Sequence, residues 1–245
     1  MLNNSLQFTR GQVYYAHFGK SEYDIKPVLI IQNNKGNENA DNLIVARLEK
    51  ATKELMEKHK LVIEVSKTKL VVTDKFETIS KEKIYRVAAI QGMSVPKPNA
   101  ILNEEQLELL NDELLKAVGV TNDNFRKNSF IHRGELYFSN GFNKMIFDDS
   151  EERGDRLCLV LNEDRYNKDN VIVALLTTSP KKAERQNFPT HVKLRIEKDK
   201  ISTVMLEHLR TIPKSMLDTT ELYYNLSIAE TIEVDECLKI SLALC

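Results

Sequence analysis

Several side chains able to bind a phosphate or exchange a proton lie in the second half of the chain. Arg156 precedes the apolar run 157–161, and Thr177 ends the run 171–177. A guanidinium group stays charged and can hold two phosphate oxygens at once, and a threonine hydroxyl can donate to another. Glu207 can accept a proton, and a histidine can return one. The nearest histidines along the chain are His191 and His208.

Each of these residues also has an ordinary structural explanation. Arg156 would serve equally as a surface arginine, and Thr177 is a β-branched residue that suits a strand. Glu207 could form a solvated ion pair with Arg210, three positions later. A lone histidine is more often a structural hydrogen-bonding group than a catalytic one. Residue type alone therefore leaves both explanations open.

Neither the cysteines nor the carboxylates are spaced as metal ligands. Cys158, Cys237 and Cys245 are odd in number and share no disulfide or metal-site spacing, so we expect reduced structural thiols. The sequence therefore predicts no metal and no cofactor. The net charge is −1, so any phosphate-binding surface must be a local patch. There is no signal-peptide pattern and no run of about 18 apolar residues, which predicts a soluble cytoplasmic protein without a membrane segment.

The chain contains an internal repeat. Four segments of the first half recur in the second half in the same order, with slightly drifting spacing, as expected after duplication and changes of loop length. The pairs are Arg10–Tyr15 with Arg133–Phe138, Lys26–Asn33 with Arg156–Glu163, Asn42–Ala46 with Asn170–Ala174, and Thr78–Lys81 with Thr211–Lys214. We therefore divide the chain into a first copy at residues 1–120, a linker at 121–129 and a second copy at 130–245.

Each copy reads as a set of short strands closed by a helix. The apolar and alternating runs predict strands near 12–18, 28–32, 43–48, 61–65 and 70–73, and near 135–138, 157–161, 171–177, 191–196 and 203–206. Asn103 and Gln106 form a capping-box pattern before a helix that Gly119 would end. A second helix is expected over 235–244, and a short helix near 50–58 occurs only in the first copy. The fold class is therefore mainly β with helices (α+β), as small barrels or strongly bent sheets.

These segments resemble the MazF/PemK toxins of bacterial toxin–antitoxin pairs. The first copy keeps the opening Arg10-Gly11, the Lys26–Asn33 strand and the Thr78-Ile79 step. The second copy matches along most of its length, in Arg133–Tyr137, Ser150–Arg156, Val173–Thr177, Phe188–Val192, Met205–Ile212 and Ile240–Leu244.

The resemblance implies a fold, a reaction and partners. Each copy would be a small SH3-like barrel with a C-terminal helix, and the two copies would form a pseudo-dimer within one chain. The activity would be metal-independent cleavage of single-stranded RNA through attack by the 2′-hydroxyl. The partners would be single-stranded RNA and an antitoxin protein.

The resemblance also implies site residues in the second copy. Arg156, Thr177 and Glu207 match catalytic positions, although Leu157 follows where the family has proline. His191 and His208 are candidates for acid or base catalysis. The acidic segment 148–155 would border the RNA and could either gate the site or attract a basic partner segment. The candidate RNA-binding residues are Lys26, Ser150, Arg153, Thr178 and Arg210.

The first copy departs from this pattern at the positions that matter. Lys26 replaces the arginine, which keeps the charge but loses the planar fork. Glu49 falls at the threonine position, and Glu77 falls where the second copy has Arg210. Asp74 retains the carboxylate. Because glutamate repels a phosphate, we expect the first copy to be catalytically inactive.

Two other functions remain open at this stage. The chain could be a pseudo-enzyme that binds RNA or an antitoxin peptide without cutting, as the degenerate first copy and the near-neutral charge would allow. By fold analogy alone it could instead act on DNA gyrase.

Overall fold

A computed structural model describes residues 8–19, 21, 24–118, 131–139, 156–162, 169–178, 188–197 and 200–244. The chain divides into two compact units. The first unit comprises residues 1–114 with 241–245, and the second comprises residues 115–240. No helix in the described part of the chain is long and apolar enough to span a bilayer.

The described part of the first unit contains an antiparallel sheet and four helices. The strands are β1 Gln12–His17, β2 Ile25–Ile30, β3 Asn42–Lys50, β4 Val62–Val65, β5 Thr68–Ser80 and β6 Ala100–Ile101. Their order in the sheet is β6-β1-β2-β3-β5, and β4 pairs with β5 as well. The helices are α1 Asn34–Asn39, α2 Lys53–Lys58, α3 Glu82–Ile90 and α4 Glu104–Ala117.

The second unit repeats this arrangement strand for strand. The strands are β7 Glu135–Ser139, β8 Arg156–Val160, β9 Asn170–Thr177, β10 His191–Glu197, β11 Lys200–Pro213 and β12 Tyr224–Asn225. Their order in the sheet is β12-β7-β8-β9-β11, with β10 also paired to β11, and the pairs are again antiparallel. A 3-10 turn covers Lys214–Met216, and helix α5 covers Ile228–Leu242.

The strand registers confirm the internal repeat. Leu29 pairs with Ala46 in the first unit, and the corresponding Leu159 pairs with Ala174 in the second. Glu77 likewise occupies the register position that Arg210 holds in the second unit. The repeated segments of the sequence are therefore equivalent in three dimensions.

The recurring Arg-Gly pair has a structural cause in both units. Gly11 and Gly134 have φ angles of +86° and +89°, in the left-handed region that favours glycine. Each turn leads directly into the first long strand of its unit. A side chain added at either position would strain the turn, which explains why glycine recurs there.

The arginine before each glycine ties the sheet to a helix. Arg10 donates to the carbonyl after β2 and to Asn111 on α4, and burial lowers its pKa to about 10. Arg133 donates to the carbonyl after β8 and forms an ion pair with Asp235 on α5. Arg10 and Arg133 therefore have structural roles, in contrast to the phosphate-binding role expected of Arg156.

Each unit has an apolar core on one face of its sheet. In both cores the members alternate along the strands, as expected when one face of a strand is buried. The first core contains Phe8, Tyr14, Ala16, Val28, Ile30, Leu43, Val45, Ile79 and Ile84. The second contains Ile131, Tyr137, Cys158, Val160, Val171, Val173, Leu175, Ile212 and Leu217.

Several predicted elements differ in extent from those observed. The capping box of Asn103 and Gln106 is confirmed, with hydrogen bonds of 2.9 and 3.1 Å. Helix α5 begins seven residues earlier than expected, after a second capping box that joins Ser227 to Glu230. Strands β5 and β11 are much longer than the segments 70–73 and 203–206 that were predicted for them. Four short elements were not predicted: α1, α3, β6 and β12. Among the described strands of either unit, no pairing closes the sheet into a barrel.

Candidate active site

Polar side chains form a row across four strands of the second unit. Ser139 on β7 pairs with Arg156 on β8, and Thr177 on β9 pairs with Thr203 on β11. The β8–β9 register, continued by two residues beyond its last pair, places Arg156 opposite Thr177. Directly paired residues of antiparallel strands share a face of the sheet. One guanidinium and three hydroxyls therefore lie side by side.

The members of this row differ in exposure. Arg156 and Thr177 are half-buried, whereas Ser139 and Thr203 are buried. The hydroxyl of Thr203 has no hydrogen-bond partner among the described residues. Solvent and any ligand therefore meet Arg156 and Thr177 first.

Glu207 is bound by two neighbouring side chains. Nε2 of His191 lies 2.6 Å from Oε1 of Glu207, and the hydroxyl of Thr190 donates to Oε2 at 3.0 Å. The side chain of Glu207 is only 14% exposed and that of His191 only 6%. This is a compact acid–base cluster with a small opening to solvent.

An irregularity in β11 creates the cluster. The β9–β11 register shifts between Met205 and Leu209, so residues 206–208 lie outside the regular ladder. The turn before β10 binds this segment, because the amide of Leu206 donates to the carbonyl of Thr190 at 3.1 Å. The ring of Phe188 also packs edge-on against His191, with centroids 5.4 Å apart. The bulge and the turn together bring the cluster into contact.

Glu207 is ionised in this environment. Burial alone would raise its pKa, but the hydrogen bond from His191 and the charges of His208 and His191 outweigh burial, so the pKa lies below its usual value. An ionised carboxylate only accepts hydrogen bonds, so the proton of the 2.6 Å contact sits on Nε2 of His191. Nδ1 of the same ring is buried and has no partner among the described residues.

The other predicted site residues are distributed around this cluster. His208 is half-buried in the same bulge, and Thr178 is exposed directly after β9. Arg210 is only 7% exposed, which leaves its guanidinium little surface for direct contact with RNA. Two predicted RNA contacts, Ser150 and Arg153, lie outside the described residues. So do the linker 121–129 and the whole acidic segment 148–155.

The equivalent positions of the first unit carry ion pairs. The β2–β3 register, continued by two residues, places Glu49 opposite Lys26, as Thr177 stands opposite Arg156. Glu49 forms an ion pair with Lys75, and Lys26 lies 3.7 Å from Asp24. Carboxylates thus accompany the basic groups that a phosphate would have to reach.

The repeat is also recognised by comparison with known proteins. The sequence profile of the family described as "PemK-like, MazF-like toxin of type II toxin-antitoxin system" matches residues 9–117 and, separately, residues 132–242. The chain belongs to this family. Each match covers one copy, which supports the tandem arrangement.

Individual members of the family are similar to about half of the chain. An endoribonuclease MazF from Staphylococcus epidermidis is 36% identical over 119 residues, which is 46% of this chain and 92% of the relative. A solved endoribonuclease in complex with its cognate antitoxin from Mycobacterial species is 18% identical, with a TM-score of 0.37, over 47% of this chain and 97% of that one. MazF (Form-I) from Deinococcus radiodurans is 21% identical, with a TM-score of 0.36, over 46% and 96%.

The first unit of this tandem PemK-like, MazF-like toxin has a looser acid–base cluster. Asp74 lies in the segment of β5 where the register shifts, as Glu207 does in β11, and Nε2 of His59 lies 4.0 Å from its carboxylate. Nδ1 of His59 lies 3.7 Å from Glu113 on α4. The first unit therefore has a histidine between two carboxylates where the second has a close pair.

Sequence reasoning missed three members of the second-unit site. Thr190 lies within the Phe188–Val192 segment that carried the family resemblance, next to His191, but nothing in its type marked it out. Ser139 and Thr203 become visible only when their strands are paired in register with β8 and β9. All three depend on long-range pairing that a single sequence does not display.

Proposed function

We propose that this chain is an endoribonuclease toxin that cleaves single-stranded RNA without a metal, at one site in its second unit. The observation that carries the proposal is the pairing of Arg156 and Thr177 in one row, together with an ionised Glu207 bound to His191. Family membership and the endoribonuclease name of the Staphylococcus epidermidis relative support it.

The chemistry follows from the side chains. Metal-free cleavage needs a base for the 2′-hydroxyl, charge stabilisation for the phosphorane and a proton for the departing 5′-oxygen. Glu207 serves as the base because it is ionised and partly exposed. Arg156 and Thr177 hold the phosphate oxygens. The products are a 2′,3′-cyclic phosphate and a free 5′-hydroxyl.

Thr177 and Glu207 lie on neighbouring strands. Thr177 pairs with Thr203, and Glu207 lies four residues further along β11, in the segment where the register shifts. The RNA backbone would run along these two strands, between the Arg156–Thr177 pair and Glu207.

The remaining candidates take secondary roles. His208 is the better candidate for the general acid, since Nε2 of His191 is engaged by Glu207 and Nδ1 is buried. Thr178 is exposed beside Thr177 and suits a backbone contact with RNA. Arg210 contributes charge from within the sheet. The other proposed RNA contacts are Lys26, Ser150 and Arg153.

We also propose the finer architecture that the family implies. Residues 1–120 and 130–245 would each form an SH3-like barrel, the two would associate as a pseudo-dimer, and an antitoxin protein would be the partner. A fragment of residues 128–245 should then associate or aggregate, because it would expose the surface that the first copy covers. A stable, monomeric fragment in analytical ultracentrifugation would contradict the pseudo-dimer.

The decisive experiment for the reaction uses purified full-length protein and single-stranded RNA in EDTA. Cleavage should persist in EDTA, and replacing the ribose at the cut site with deoxyribose should stop it while binding is retained, since the backbone charge is unchanged. Cleavage of the substituted strand, or loss of cleavage in EDTA, would refute the mechanism.

The alternative is a pseudo-enzyme that binds RNA or an antitoxin without cutting. The ion pairs at the first-unit positions and the net charge of −1 are the observations that favour it. Binding of RNA with no cleavage of any single-stranded substrate would establish this alternative.

A further inference from the structure

Both oxygens of the Glu207 carboxylate are held by consecutive residues of one turn. His191 contacts Oε1 at 2.6 Å, and the hydroxyl of Thr190 donates to Oε2 at 3.0 Å. Thr190 is itself buried, with 8% of its surface exposed. Its side chain has no role in the reaction as proposed so far.

We propose that Thr190 is a positioning residue that fixes the plane of the Glu207 carboxylate for proton transfer. This inference rests on the proposed function, in which Glu207 is the base. Thr190 itself touches neither the RNA nor the transferred proton, and it acts only through Glu207.

The geometry explains why a second donor matters. The last torsion of a glutamate side chain is broad, so a donor on each oxygen fixes the plane of the carboxylate more firmly than a donor on one oxygen does. A second donor on Oε2 restricts that motion. Threonine suits the task, because its branched Cβ restricts χ1. The backbone carbonyl of Thr190 also accepts a hydrogen bond from the amide of Leu206. The backbone that carries the Thr190 hydroxyl is therefore bound next to the backbone that carries Glu207.

The first unit differs from the second at the corresponding positions. When the β4–β5 and β10–β11 registers are aligned at Val71 and Thr203, Lys60 stands where His191 does and His59 stands where Thr190 does. Nε2 of His59 lies 4.0 Å from the carboxylate of Asp74, whose side chain is 43% exposed, against 14% for Glu207. The hydroxyl that donates to Glu207 therefore has no counterpart at this position of the first unit.

Removing the hydroxyl has a second consequence. A hydrogen bond donated to the ionised form of an acid stabilises that form, so its loss raises the pKa of Glu207. The base would then be ionised only at higher pH. Because general loosening of the fold would also return the lowered pKa of Glu207 toward its unfolded value, the titration separates positioning from a purely structural role only together with an unchanged thermal transition and rescue by serine.

The test compares Thr190→Val with Thr190→Ser in the full-length protein. Valine keeps the shape and removes the donor, whereas serine restores it. Thr220→Val is the matched control, because Thr220 also donates its hydroxyl to a carboxylate, that of Asp218, at an exposed position of the same unit. The readouts are kcat and KM on a single-stranded RNA across pH, and the carboxyl ¹³C titration of Glu207 by NMR.

We expect Thr190→Val to lower kcat about 10- to 100-fold, the loss expected for one hydrogen bond to a charged group, with KM within about twofold. The acidic limb of the kcat profile and the Glu207 titration should both move to higher pH. Thr190→Ser should restore both, and Thr220→Val should change neither. If Thr190→Val does not fold, as judged by its thermal transition, Thr190→Ala takes its place.

Two results would overturn the inference. One is an unchanged Glu207 titration in Thr190→Val, and the other is a loss of kcat that Thr190→Ser fails to rescue. If the wild-type protein cleaves no RNA, the proposed function fails instead. The NMR titration then still decides whether Thr190 controls Glu207, so the two failures are distinguishable.

Discussion

Replacing Arg133 with methionine should remove the main polar tie between the sheet of the second unit and helix α5. The guanidinium donates to the carbonyls of Leu161 and Val118 and forms an ion pair with Asp235. Methionine has similar length and no charge, so the substitution tests the polar contacts rather than the packing volume. Asp235 would be left without its partner.

The magnitude follows from burial. The side chains of Arg133 and Asp235 are 15% and 25% exposed. Breaking a fully buried pair by removing one partner costs about 3 to 5 kcal/mol. Because a quarter of Asp235 remains exposed, we expect about 2 to 3 kcal/mol, which lowers Tm by about 5 to 10 °C for a protein of this size.

Urea denaturation of Arg133→Met, Asp235→Ala and the double variant measures the coupling directly. Lys239→Met is the control, since Lys239 pairs with Glu236 at 2.8 Å with side chains 32% and 63% exposed. That variant should change stability by about 0.5 kcal/mol at most. If Arg133→Met cost no more than Lys239→Met, or if the double variant were simply additive, the structural role assigned to Arg133 would be wrong.

Three further results are expected. Because the pKa of Glu207 is lowered on folding, its contribution to stability is present above its unfolded pKa of about 4.3 and is lost as pH falls through the folded pKa. The difference in unfolding free energy between the wild type and Glu207→Gln, measured in urea, should therefore shrink below about pH 4. A difference that stayed constant with pH would contradict this. Burial raises the pKa of the Cys158 thiol to about 12, so iodoacetamide at pH 8 should alkylate it only after the protein is unfolded. Mass-spectrometric mapping measures this labelling. Equal labelling of Cys158 in the folded protein would argue against its burial. Ser227→Ala should cost about 1 kcal/mol by removing the α5 cap, as measured by urea denaturation, and a neutral effect would show that the cap is dispensable.

The strands and the repeat could be predicted because their signals are local. The buried runs 28–32 and 157–161 are continuous and apolar, and their order survives in both copies. The first turns of α5 were missed although the Ser227–Glu230 pattern was present, because the residues before 235 mix apolar and acidic side chains. Helix α3 was missed because it is only nine residues long.

The site was predictable only in part. Arg156, Thr177 and Glu207 were identified by resemblance, and the registers bring Arg156 opposite Thr177. The role of Thr190 depends on a bulge in β11, and no residue pattern marks a bulge there. The burial of Arg210 was equally invisible, because the burial of a strand residue depends on long-range packing that the sequence does not display.

The central claim is that the second unit alone carries an endoribonuclease site. The most direct test measures cleavage of one single-stranded RNA in EDTA by the wild type, Arg156→Ala and Lys26→Ala at equal folded concentration. Arg156→Ala should cut the rate by about a hundredfold or more, as for the loss of a transition-state donor, and Lys26→Ala should change it by only a few-fold. Loss of cleavage in Lys26→Ala with activity retained in Arg156→Ala would contradict the account.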